Sequence, residues 1–159
     1  MATKLKARAA ELYQTDFYNW ALKQAEALRA GRLDELDLAN LAEEVEALAI
    51  SVRTAVRSRT RTIIEHLLKL QYSPAVDPRH GWRRTLRVQR RELADDLSPS
   101  LRRQLADDVA ELYRDARENA ADDLRAYGEH TAAEALPGTC PYSFDDVAGD
   151  WWPDEPHKL

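Results

Sequence analysis

Between Asp37 and Pro74 the chain carries no glycine or proline, and Leu38, Leu41, Val45, Leu48, Val52, Val56, Ile63, Leu67 and Leu70 recur at helical spacing. Residues three and four apart share one face of an α-helix, whereas a strand needs strict alternation, so this stretch reads as a helix with an apolar stripe. Asp37 offers an N-cap, Leu36 and Leu41 have the spacing of a hydrophobic staple, and Glu43 and Glu44 suit the positive end of the helix dipole. Pro74 forces the stop. Unbroken, such a helix is about 50 Å long at 1.5 Å per residue. A kink near Ile50 to Arg53 is the alternative, although no glycine or proline there demands one.

The same punctuation sets three further helices. One runs from Thr15 or Asp16 to Ala30, with Gly31 in the left-handed position that ends a helix and Phe17, Trp20, Ala21, Gln24 and Leu28 facing inward. A loop with Pro74, Pro78 and Gly81 leads to another from about Trp82 to Leu97. Ser98 and Pro99 are an N-cap followed by a proline at N1, opening a last long helix that Gly128 stops. From Gly128 the chain is richer in proline, glycine and acid, with one helical turn expected near Phe144 to Val147. Trp151 and Trp152 should draw this tail onto the helices, since burying a large apolar side chain is worth about 1.5–3 kcal/mol.

Composition closes off other classes. With 44% apolar and 32% charged residues, the chain is neither a bilayer protein nor a disordered one. The longest apolar stretch, Ile63 to Leu70, is interrupted by Glu65, His66 and Lys69 and is too short to span a membrane. The opening MATKLKARAAELYQTDFYNW lacks the apolar region of a secretory signal. Cys140 is the lone cysteine, so no internal disulfide and no cysteine-built zinc site is available, and a reducing cytoplasm is the expected setting.

The strings DFYNWALKQAEALRAGRLDELDLANLAEEVEAL from Asp16, HLLKLQY from His66, GWRRTLRVQRREL from Gly81, SPSLRRQL from Ser98 and CPYSF from Cys140 span nearly the whole chain. In this order they resemble the bacterial family called domain of unknown function 29. The sequence departs from that pattern mainly between Gly128 and Thr139. The resemblance implies an all-helical bacterial protein and brings no catalytic or ligand-binding residue with it.

Familiar catalytic patterns are missing. A di-iron bundle needs Glu-x-x-His pairs, but Ile63 precedes His66 by three, Tyr127 precedes His130, and Asp77 precedes His80 with a proline between. There is no H-E-x-x-H, no phosphate-cradling glycine loop and no nucleophile elbow. What remains are polar residues on apolar stripes: Gln24 between Trp20 and Leu28, Gln89 and Arg90 between Leu86 and Leu93, and His66 beside Ile63 and Leu67. Such inward groups can line a site in a bundle, and His66 is a candidate acid or base near neutral pH. They can equally form a hydrogen-bonded network that fixes helix register. Glu44 is about 33 Å from His66 along a continuous helix and cannot share a site with it.

Charge is segregated. Arg53 to Arg91 holds eleven Lys or Arg against two acids, while residues 92 to 159 hold six against seventeen, within a formal charge of −5. Arg53, Arg57 and Arg61 recur every four residues, and Arg83, Arg84, Arg87, Arg90 and Arg91 crowd the next helix, a field that could attract phosphates. Against that, Asp108, Glu111, Asp115, Glu118 and Asp122 at helical spacing could pair with these arginines.

The expectation is therefore an all-α single domain over residues 1–159. Four main helices (about 15–30, 37–72, 82–97 and 99–127) form a bundle, with a partly ordered segment 1–14 and an irregular tail 128–159 packed on it. The leading functional expectation is a non-enzymatic bacterial module, without cofactor, metal or membrane, that binds another protein or itself; long helices offer extended faces for this. Nucleic-acid association through Arg53 to Arg91, and an enzyme site near His66 with Gln89 or Arg90, are the alternatives.

Overall fold

The computed structural model describes the backbone of residues 2–156 and the side chains of residues 9–156. It is all-α: α1 Ala2–Thr15, α2 Phe17–Arg29, a 3-10 turn Leu33–Glu35, α3 Leu38–Tyr72, α4 Arg79–Asp96, α5 Pro99–Ala126, α6 His130–Glu134 and α7 Phe144–Ala148. No strand occurs among the described residues. The chain divides into two compact units, residues 1–51 and 52–159. α3 is one continuous helix of 35 residues.

In the first unit, Asp16 caps α2 by accepting a 3.1 Å hydrogen bond from the Asn19 N–H. Gly31 ends the helix at φ +69, and the Arg32 N–H returns to the Ala27 carbonyl, the six-to-one bond of a Schellman stop. Gly128 ends α5 in the same way at φ +80, with the Glu129 N–H on the Leu124 carbonyl. The inward face of α2 differs from the expected one. Trp20, Gln24 and Ala27 are buried, whereas Phe17 and Leu28 are half exposed. Tyr13 of α1 packs edge-on to both Trp20 and Phe17, with centroids 4.8 and 5.9 Å away.

The second unit holds the larger core. Ile63, Ile64, Leu67, Leu68 and Leu70 of α3 meet Leu86 and Leu93 of α4, and Leu105, Leu112, Ala116, Ala120 and Leu124 of α5. Ser98 caps α5 through the Leu101 N–H, with Pro99 at the start as expected. α4 begins at Arg79, three residues before the expected Trp82, because Pro78 already has helical backbone angles and Trp82 N–H bonds to its carbonyl.

Arg79 itself is almost fully buried and donates to the carbonyls of Leu70, Ser73 and Ala75, satisfying the C-terminal end of α3. The tail is anchored by Tyr142, Phe144 and Val147, which enter the core, while Trp151 and Trp152 stay 39% and 37% exposed. Ser143 and Asp146 form a capping box that starts α7. Tyr113 and Arg117 hold the preceding linker by donating to the Pro137 carbonyl. Burial pushes the Tyr113 hydroxyl up to about 12, so it remains a donor at physiological pH.

Candidate functional site

His66 is half-buried on α3, and its Nδ1 lies 2.9 Å from the Thr62 carbonyl, an acceptor that only a protonated Nδ1 satisfies. Burial, and then the nearby Lys69 ammonium, hold its pKa below the ordinary value. Lys69 is buried and donates to Glu65 at 2.7 Å and to Asp123 of α5. Those hydrogen bonds outweigh the cost of burial and raise the Lys69 pKa, keeping the ammonium charged. The group is thus a neutral imidazole beside an internally compensated ion cluster. A cleft of about 600 Å3 opens next to it, between Lys69, Trp82, Asp123 and Tyr127, and His66 is not among its lining residues. No set of three or more His, Cys, Asp or Glu among the described residues could hold a metal.

Gln24 has a structural partner. Its buried Oε1 accepts a 2.7 Å hydrogen bond from the Asp37 N–H, the residue preceding α3. Asp37 in turn accepts from the Asn40 side chain at 2.7 Å. Gln89 is half-buried and makes no side-chain hydrogen bond among the described residues. Arg90, one residue on, is buried: its Nε donates to the Val147 carbonyl at 3.0 Å and its Nη2 to the Asp146 carbonyl at 2.6 Å. It fastens α7 to α4.

The basic stretch is largely compensated within the second unit. Arg53 and Arg57 both reach Asp108, Arg57 also pairs with Glu111 at 2.8 Å, and Arg61 lies 3.9 Å from Asp115. Arg59 pairs with Glu92 at 3.5 Å and with Asp96. Arg83 is held by Glu155, which also lies 3.3 Å from Arg79. The acidic face of α5 therefore meets the arginines of α3, at the spacing the sequence offered. Arg84, Arg87 and Arg91 are exposed and have no carboxylate partner among the described residues. Arg87 and Arg90 instead place their guanidiniums 5.7 and 5.5 Å from the centre of the Trp152 ring.

The first unit is different in kind. Leu38, Val45 and Leu48 are 62%, 64% and 67% exposed, with Leu41 half-buried beside them. Their three-four-three spacing is that of a coiled-coil seam. Phe17, Tyr18, Leu22, Leu28, Leu33 and Ile50 are also at least half exposed. Isolated apolar residues on a surface are ordinary, but nine large ones among the described residues of a unit of 51 need a reason.

The chain belongs to the family described as domain of unknown function DUF29, which matches residues 12–152. No curated protein and no solved structure shows a significant match to it. No helix among the described residues is long and apolar enough to cross a membrane.

Proposed function

We propose that this chain is a non-enzymatic protein-interaction module of the bacterial cytoplasm that associates with a second copy of itself through the apolar seam of residues 38–48. The carrying observation is the seam of exposed Leu38, Val45 and Leu48 with half-buried Leu41. The seam offers a row of large exposed apolar side chains, and an interface of standard size, burying ~800 Å2 of each partner, would cover it. A three-four seam is completed by another helix with the same spacing, and a second copy supplies one in a two-fold, self-complementary arrangement. The lone Cys140 suits a reducing compartment.

The alternatives draw less support. Arg53, Arg57 and Arg61 already have carboxylate partners, so the phosphate-attracting field of α3 is spent internally. His66 is committed to the Thr62 carbonyl and outside the neighbouring cleft's lining.

Cross-linking tests the seam directly. Leu48→Cys in a Cys140→Ser background should form an intermolecular disulfide on mild oxidation, while Arg114→Cys, on the exposed face of α5, should not. Equal and slow cross-linking of both would remove the support for the seam.

A further inference from the structure

Once the paired arginines are set aside, the uncompensated positive charge of α4, Arg84 apart, gathers in one place. Arg87, Arg90, Arg91 and Ala94 lie three, four and seven residues apart and so share a helix face. Facing them across a cleft of about 520 Å3 are Ala148, Asp150 and Trp152 of the tail. Three guanidiniums against one carboxylate leave the lining of this cleft doubly positive, with the Asp146 carboxylate also acting on Arg90.

Arg90 shows that the excess is built in. It is only 8% exposed, two of its three nitrogens are tied to backbone carbonyls, and Nη1 is sealed from solvent without a hydrogen-bond partner. A buried donor left unsatisfied is costly, and backbone carbonyls do not neutralise a full charge. Burial accordingly lowers the Arg90 pKa, while Asp150 and Asp146 oppose that shift. The ring of Trp152 holds the Arg87 and Arg90 guanidiniums at the cleft.

We propose that the Arg87–Arg90–Arg91 cleft binds a phosphate dianion, free or as the head of a phosphate monoester. The exposed guanidiniums of Arg87 and Arg91 present paired N–H donors at the spacing of phosphate oxygens, Arg90 adds its charge from behind, and a dianion matches the net charge of the lining. Phosphodiesters carry one charge per phosphate and match it less well.

Nuclear magnetic resonance titration of the full chain with inorganic phosphate, at about pH 7.5 where a monoester is largely doubly charged, tests this. The indole N–H of Trp152, assigned by Trp152→Phe, should shift saturably beyond a chloride control at matched ionic strength. Arg87→Gln with Arg91→Gln, both exposed positions whose loss leaves the core intact, should weaken binding at least about tenfold. Arg84→Gln, outside the cleft, should leave it within about twofold of the wild type. Phosphoserine binding as well as phosphate points to a monoester head, and phosphate alone to the free ion; both support the site. No saturable shift up to about 10 mM phosphate, an equal shift in the double variant, or binding of succinate in preference to phosphate would overturn it.

Discussion

The Oε1 of Gln24 accepts a 2.7 Å hydrogen bond from the backbone N–H of Asp37, joining the middle of α2 to the residue that opens α3. Both residues are buried, so no water is at hand to replace the bond. Gln24→Leu should lower stability by about 1–3 kcal/mol, the cost of leaving a buried donor unpaired. Gln24→Glu should also lower stability near neutral pH, because the oxygen that still accepts would belong to a carboxylate buried beside Asp37. Urea unfolding of the three proteins checks this, and a Gln24→Leu loss under about 0.5 kcal/mol would show that the bond does not hold the start of α3.

His66 gives the chain a pH signature. Its pKa in the folded state is lowered, so as pH falls through about 6.5, its unfolded value, the unfolded chain takes up a proton that the folded chain resists. Stability that is full above about pH 6.5 therefore declines below it. The groups that face the ring's surroundings are Lys69 and Glu65 on α3 and Asp123 on α5. His66→Gln keeps hydrogen-bonding capacity without the titration, so the wild type should lose more stability than this variant between about pH 7 and 5. Parallel stability curves over that range would contradict the burial of the neutral ring.

The pairing of Arg53, Arg57, Arg59 and Arg61 with carboxylates of α4 and α5 bears on nucleic acid. Fluorescence anisotropy with duplex DNA should show no tight binding at about 50 mM salt, and so no steep loss of affinity by about 200 mM. Submicromolar binding at the lower salt, abolished by Arg83→Glu with Arg87→Glu, would reverse the ranking of functions.

Much of the fold was legible because helix ends carry local chemistry. Asp16, Gly31, Ser98 with Pro99, and Gly128 sit where the sequence put them, since capping depends on residues within one turn. The pairing of arginines with the acidic face of α5 was legible as an alternative, because both run at helical spacing. Burial was less so. The stripe of α3 continues unchanged in sequence from Leu38 to Leu70, yet Leu38, Val45 and Leu48 are exposed while Ile63, Leu67 and Leu70 are fully buried. Periodicity fixes which residues share a face and is silent on what covers it. The contacts of Arg79, and the arginine partners of Trp152, were not legible for a related reason. Arg79 acts on carbonyls of Leu70, Ser73 and Ala75, and Trp152 meets Arg87 and Arg90 from more than sixty residues away, contacts that no local pattern announces.

Sedimentation velocity of the full chain across about 1–100 µM tests the central claim, since a self-complementary seam makes mass depend on concentration. The account predicts a species of twice the 18.1 kDa chain at the upper end, dissociating on dilution. Val45→Glu with Leu48→Glu should abolish it while leaving helix content unchanged, because both side chains are already exposed. A wild-type chain that sediments as an 18.1 kDa monomer at every concentration, indistinguishable from the double variant, would contradict it.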